Sequence, residues 1–334
     1  MLPVVVYPNS PLIYLFVGGS WYLYNPLDPP LGSGAMGTVY LGIKCSSRDH
    51  VAVKRVRDEY AEVFQVRECA RREASLVFQH PNIVRMIGLC ELPDGHGPMF
   101  ILSEYVAGVT FEDHARYRLA FLPDEERTRR IVEQIRPILS ALQYLHDNGI
   151  VHKDIKPSNI MIDSRSCVKL MDLGVANYFV DARGGMPGFI GTPKYAAPEQ
   201  IPDGCQPAHV DARSDIYAFG VTLYELITGQ NPFDANTAEE IFRNQKYKEL
   251  PEHPLLPPLL YEVIRRAVEK APERRYASAA EMAQALDGYL SQCNPNRGRG
   301  PASVWAGGLG IGWMIGGIVL AAAGLLLLLV ALLF

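Results

Sequence analysis

Cysteine is scarce and unpaired in this chain of 334 residues. The six, at Cys45, Cys69, Cys90, Cys167, Cys205 and Cys293, include no C-x-x-C pair, which excludes the common zinc frameworks and a disulfide scaffold and fits a reducing, cytosolic setting. Net charge is nearly absent as well. A formal balance of −4, spread along the sequence, provides no basic patch, so no nucleic-acid partner is expected. No internal repeat is present. No Lys or Arg precedes the apolar stretches Leu12 to Val17 and Trp21 to Tyr24, so the basic start of a signal peptide is missing; two short strands around a turn at Gly18-Gly19-Ser20 are expected instead.

At the other end charge vanishes. No charged residue follows Arg299, and Val304 to Phe334 exceeds the roughly 20 apolar residues that cross a hydrocarbon core. A transmembrane helix over 304–334 is expected. Arg297 and Arg299 precede it, and basic flanks stay cytoplasmic, so the body should face the cytosol. The chain is expected to end in or just across the bilayer, with no outer domain following. Gly308, Gly312 and Gly316 recur every fourth residue, a small-residue face that lets two helices approach closely, so a homodimer through this segment is expected.

What remains is large and apolar. At 334 residues, 48% of them hydrophobic, the chain exceeds what one core usually organises, so two lobes or two domains are expected. Thr38 to Leu41 and Val51 to Lys54 read as strands separated by a turn at Ser46 to His50, and a helix over Ala61 to Phe78 ends at His80-Pro81-Asn82. Helices are predicted at Arg129 to Asp147, Asp215 to Thr228, Pro258 to Lys270 and Ser278 to Ser291. The expected organisation is an N-terminal extension (1–26), a globular body (27–291) in which a strand-rich lobe precedes a helical one, a linker (292–303) rich in Gly, Pro and Arg, and the membrane tail (304–334).

Gly32-Ser33-Gly34-Ala35-Met36-Gly37 is a G-x-G-x-x-G loop, whose bare backbone can approach phosphate oxygens. A dinucleotide-binding loop would open a helix and precede an acid about 20 residues on; here a strand continues and Lys54 follows 17 residues after Gly37. The decisive run is His152-Lys153-Asp154-Ile155-Lys156-Pro157-Ser158-Asn159, followed 18 residues after Asp154 by Asp172-Leu173-Gly174. A hydroxyl nucleophile needs a carboxylate to orient it and accept its proton, a cation near the transferring phosphate, and oxygen ligands for Mg²⁺. Asp154, Lys156, Asn159 and Asp172 provide that set.

With these motifs in order from Leu27 to Leu290, the sequence resembles the eukaryotic-like protein kinase family, particularly bacterial membrane-anchored Ser/Thr kinases. The resemblance implies an α+β bilobal protein kinase fold with a small β-rich lobe and a large helical lobe, the cofactors ATP and Mg²⁺, and protein substrates carrying Ser or Thr. It implies that Leu31, Gly32, Ser33, Gly34, Ala35, Met36, Gly37 and Val39 cover the nucleotide, and that Lys54 pairs its α- and β-phosphates. Asp154 is implied as the base with Lys156 beside it, and Asn159 and Asp172 as metal ligands. Glu104 and Val106 would offer backbone to adenine behind a small gatekeeper, Ser103. Gly191 to Glu199 resembles the substrate-binding end of the activation segment. There Glu199 should pair with Arg275, Asp215 should anchor the catalytic loop, and Thr192 with Lys156 matches the Ser/Thr pattern.

Three departures stand out. The family places a helix glutamate where this chain has Arg71, so Glu73, or alternatively Glu68, is expected to bond Lys54. Lys153 replaces an arginine that would fork onto a phosphate, and Leu173 to Gly191 contains no Ser or Thr. Activation without a phosphate there is therefore expected, with Asp181 or a dimer contact ordering the segment. The rival is a membrane-anchored pseudokinase scaffold; Lys54, Asp154 and Asp172, which such proteins typically lose, are all present.

Overall fold

A computed structural model describes residues 2–34, 37–75, 78–172, 192–201 and 210–293, without the side chains of Gln65, Cys69, Arg72 and Glu73. Its first half is a sheet. The strands are β1 (Val4–Val6), β2 (Ile13–Val17), β3 (Ser20–Tyr24), β4 (Gly32–Ser33), β5 (Gly37–Lys44), β6 (His50–Val56), β7 (Met86–Cys90) and β8 (Phe100–Glu104), with helices α1 (Asp58–Ala61) and α2 (Phe64–Ser75) between β6 and β7. They pair antiparallel in the order β1-β2-β3-β5-β6-β8-β7, with β4 on β5. The strands expected around Gly18-Gly19 are β2 and β3. Tyr22 and Tyr24 of β3 lie opposite Lys44 and Gly42 of β5, so the expected boundary at 26/27 falls inside one sheet.

The sheet curls until β2 meets β7. Pro3 O accepts both the Phe16 N–H, at 2.7 Å, and the Cys90 thiol, at 3.3 Å. Gly88 sits there with φ +151°, and a Cβ on it would come within 2.7 Å of Val17, so only glycine lets β2 close over β7. Leu15, Val17, Tyr22, Tyr24, Val51, Val53, Phe100 and Leu102 fill the enclosed core. A second apolar cluster, Val56, Ala61, Val66, Ala70, Met99 and Ile101, seats α1 and α2 on the sheet.

The second half is helical. After β9 (Gly108–Thr110) and α3 (Phe111–Asp113) come α4 (Asp124–Ile135), α5 (Pro137–Asp147), β10 (Ile160–Asp163), β11 (Val168–Leu170), α6 (Ala212–Thr228), α7 (Ala238–Tyr247), α8 (Pro258–Ala267) and α9 (Ala279–Gln292). Helix α6 is apolar nearly all round and buried through the middle of the lobe, as such a helix must be. Ser278, expected inside the last helix, instead caps it: its Oγ accepts the Glu281 N–H at 3.1 Å.

Two helix expectations are corrected. Arg129 to Asp147 is not one helix: it starts earlier, at Asp124, where three acids favour the positive N-terminus, and is divided at Pro137, which has no N–H to donate. The helix expected over Ala61 to Phe78 is α2, beginning at Phe64 rather than at Ala61, which instead ends the separate single turn α1. Among the described residues no helix is long and apolar enough to cross a membrane; residues 304–334, with Gly308, Gly312 and Gly316, lie outside them.

Candidate active site

Asp215 anchors the loop at residues 152–159 from within α6. Fully buried, its carboxylate accepts the backbone N–H groups of His152 at 2.8 Å and Lys153 at 2.7 Å, and contacts His146 Nε2 at 2.8 Å. That grip holds Lys153 at φ +68°, a left-handed conformation that an L side chain adopts at a cost of about 1 kcal/mol or more. His152 Nε2–H donates to Met171 O at 3.0 Å, and Met171 N–H donates to Asn159 O at 2.9 Å. Asp154, Asn159 and Asp172 are thus set side by side by backbone.

Asp154 is 7% exposed, and both its oxygens are engaged. Oδ2 takes Lys156 Nζ at 2.8 Å and Asn159 Nδ2 at 2.9 Å; Oδ1 accepts the Thr192 hydroxyl at 2.7 Å and the Thr192 N–H at 3.1 Å. Lys156 also donates to Thr192 Oγ1 at 2.7 Å. Burial by itself would push this carboxyl up, but attraction to Lys156 and the hydrogen bonds from Lys156 and Thr192 outweigh it and hold Asp154 below its ordinary value. The group is an ionised acceptor at neutral pH.

Opposite the loop, Lys54 of β6 pairs across the sheet with Val39 of β5 and Ile101 of β8, and its Nζ reaches Asp172 Oδ1 at 3.3 Å. Gly32 and Ser33 lie opposite Val39 and Thr38; Ala35 and Met36 fall outside the described residues. Gly37 is fixed by packing, since a Cβ would lie 2.3 Å from Arg55 O, whereas Gly32 and Gly34 have nothing within 4 Å of theirs. What glycine leaves at those two positions is open space. Between the lobes, Glu104 commits its N–H to Arg85 O at 2.9 Å and its carboxylate to Lys169, at 2.6 Å, and Arg85 N. Val106 makes no backbone hydrogen bond among the described residues. These groups suit MgATP: Asn159 spends both amide hydrogens on Asp154 O and Oδ2, which leaves its oxygen as a hard donor that, with the Asp172 carboxylate, would hold a divalent cation. Val106 offers a donor and an acceptor to a base, and Leu31 and Val39, joined by a 2.8 Å backbone bond, offer it apolar surface.

Glu68 bonds Arg71 Nη1 at 2.6 Å, while the Glu73 side chain lies outside the description. The sequence reading overlooked Glu91. It follows β7 and takes Arg67 Nη1 at 2.8 Å and Arg71 Nε and Nη2 at 2.6 and 3.1 Å, so α2 is clamped to the sheet by two arginines one helical turn apart. That i, i+4 spacing was the available signal. Arg67 also donates to Gly97 O at 2.6 Å, and Glu62 accepts the Gly97 N–H at 2.9 Å, which binds the β7–β8 connection to the same helices.

In the helical lobe, Arg275 forks onto Glu199 at 2.6 and 2.8 Å, and Ser214 Oγ–H donates to the same carboxylate at 2.6 Å. Asp181, with the rest of residues 173–191, lies outside the described residues.

Residues 27–287 match the family profile described as "Protein kinase domain". "Serine/threonine-protein kinase PknB" of Mycobacterium tuberculosis is 35% identical over 266 residues, covering 75% of this chain and 40% of that protein. "Serine/threonine-protein kinase PrkC" of Bacillus subtilis is 34% identical over 259 residues, covering 75% and 38%. The chain therefore spans about two fifths of the length of the curated relatives it matches. Among solved structures, the PknI kinase domain of Mycobacterium tuberculosis superimposes with a TM-score of 0.60 at 27% identity, covering 81% of this chain and 96% of that one.

Proposed function

Because the chain belongs to the protein kinase domain family, we propose that it is a protein Ser/Thr kinase that transfers the γ-phosphate of MgATP to hydroxyls of protein substrates. The observation that carries this reading is the state of Asp154: ionised, held rigidly by Lys156 and Asn159, and already accepting a threonine hydroxyl. An acceptor Ser or Thr can present its O–H to the same carboxylate, which orients the oxygen and takes the proton as the oxygen gains the phosphoryl group. Bound MgATP would supply that group and the divalent charge that neutralises it. Lys156 lies within reach of Asp154 and Thr192 and places positive charge beside the transfer. Lys54, Asn159 and Asp172 are the residues to hold the phosphates and metal, with Leu31, Val39 and the backbone of Glu104 and Val106 around the base.

The same reading holds the enzyme on a membrane through residues 304–334, kinase domain toward the cytosol, and pairs two copies along Gly308, Gly312 and Gly316. It also dispenses with a phosphate between Leu173 and Gly191. Purified full-length protein with labelled ATP and a generic protein substrate tests the chemistry: Asp154→Asn should lower incorporation by about 100-fold or more. Incorporation that survives the substitution removes Asp154 from its role, and none by the unaltered chain favours a membrane-anchored scaffold. Carbonate-washed membranes should retain the chain, and Gly312→Ile should lower its crosslinked dimer fraction. A required phosphate within 173–191, seen by mass spectrometry, would overturn the last point.

A further inference from the structure

Thr192, which occupies Asp154, belongs to a short segment whose carbonyls are held from behind by a buried side chain. Gln245 projects from α7 and is fully buried. Its Nε2 donates to Lys194 O at 2.7 Å and Pro193 O at 3.2 Å. Its Oε1 accepts the Tyr217 hydroxyl at 2.6 Å, and Tyr217 Oη accepts from Lys270 Nζ at 3.2 Å. The direction of this relay is forced. Lys270 can only donate, so Tyr217 passes its one hydrogen to Oε1, and the two carbonyls can only accept, so they take the amide hydrogens. Lys270 is itself packed over the Phe233 ring at 4.0 Å, and Tyr217 is fully buried under Arg275. Every member is locked by its neighbours.

We propose that Gln245 is a positioning residue for phosphoryl transfer: through Tyr217 and Lys270 it fixes the Pro193–Lys194 backbone, and thereby sets the distance at which Thr192 meets Asp154 and Lys156. The proposal rests on the reading of Asp154 as the base. Loss of the amide takes a 2.7 Å donor from Lys194 O and a second donor from Pro193 O, which keeps the Ala196 N–H at 3.3 Å, so the bridge that ties the two carbonyls together is gone. Asn231 Nδ2 also reaches Lys194 O, at 3.2 Å, so the segment is expected to shift rather than unfold when Gln245 is lost. A shift on the order of 1 Å in a catalytic constellation costs roughly 100-fold in rate.

The test compares full-length wild type with Gln245→Met, close in volume but unable to bridge, and Tyr217→Phe, which removes only the hydroxyl. Both should lower kcat/KM for a protein acceptor, Gln245→Met by about 10- to 100-fold, while the ATP dissociation constant stays within about twofold, since no member of the relay touches the Lys54 side. Parallel loss of ATP binding, acceptor turnover and thermal midpoint would assign Gln245 to general stability and overturn the proposal. Wild-type acceptor kinetics in both variants would overturn it as well. Should Gln245→Met fail to fold, Tyr217→Phe decides by the same ratio of acceptor kcat/KM to ATP affinity. Asp154→Asn, run alongside, distinguishes failure of the base assignment, which leaves that variant active, from failure of the relay, which leaves it dead and the other two normal.

Discussion

The carboxylate of Asp154 and the ammonium of Lys270 show burial acting against charge with opposite outcomes. Asp154 has compensation: Lys156 and Thr192 hold it below its ordinary value. Its ionised form, and whatever depends on it, is therefore present above the ordinary carboxylate range and lost only as pH falls through the lower folded value. Acceptor turnover should then show no acid limb from this group above about pH 4. Lys156→Met removes the largest of the influences that oppose burial, so the limb should move upward in a pH profile of kcat; an unmoved limb would detach Lys156 from the state of the base. For Lys270 the compensation is outweighed. Burial pushes its ammonium down to about 8, with Arg275 and Lys248 adding repulsion and Glu249 and Glu269 opposing it. Between about 8 and its ordinary 10.5, the unfolded chain binds more protons than the folded one, so the Lys270 contribution to stability rises with pH across that window. Thermal midpoints from pH 7.5 upward should show wild type gaining on Lys270→Met as pH rises. Taking the difference cancels the tyrosines, whose raised values act in the opposite direction above pH 10. A pH-independent difference would mean that the ammonium stays charged.

Helix α2 is held by its arginines as much as by its apolar face. Arg67 is 3% exposed and, with Arg71, converges on Glu91. Removing one partner of such a pair leaves charge buried without compensation, which typically costs about 3–5 kcal/mol. Glu91→Gln keeps the shape and should loosen α2 on the sheet. Amide exchange in 64–75 should accelerate while 212–228 stays protected; unchanged exchange in α2 would show that the apolar cluster alone seats it. The strands β5 and β6 and the long α6 were legible directly, because short runs of β-branched and aromatic residues bounded by turn residues read as strands, and a helix apolar nearly all round must be buried. The loop at residues 152–159 was legible for a different reason, since the proton acceptor, cation and metal ligands that the proposed transfer needs must recur at fixed spacing whatever surrounds them. Glu91 was legible only through the i, i+4 arginines that converge on it, and Gln245 not at all. Each acts on a partner distant in sequence, Arg67 and Pro193 respectively, and nothing local separates a clamping Glu or Gln from a solvated one. The break at Pro137 was readable from proline alone and was overridden by the apolar period running through it.

Seen along the chain, the family match begins at residue 27, yet the sheet begins at Val4, and the small lobe is closed by strands that lie before the match. Leu15 and Val17 of β2 are 0% and 5% exposed inside the core, and full burial of a side chain of that size contributes about 1.5–3 kcal/mol. Two such side chains amount to ~3–6 kcal/mol, against a typical net domain stability of ~5–15 kcal/mol. Starting at residue 27 would also remove Tyr22 and Tyr24 from the same core, uncover Val53 and Leu102, and free the edge of β5 that β3 covers to pair with other chains. A protein started at residue 27, at the family boundary, is therefore expected to aggregate or to melt far below the full chain. One started at residue 12, which loses only β1 and the Pro3 carbonyl that joins Phe16 to Cys90, should fold with a thermal midpoint lower by several degrees. Calorimetry on the three lengths orders them. Equal midpoints for the full chain and the form starting at 27 would mean that β1 to β3 decorate the lobe without supporting it, and would return the structural boundary to the place where the sequence family begins.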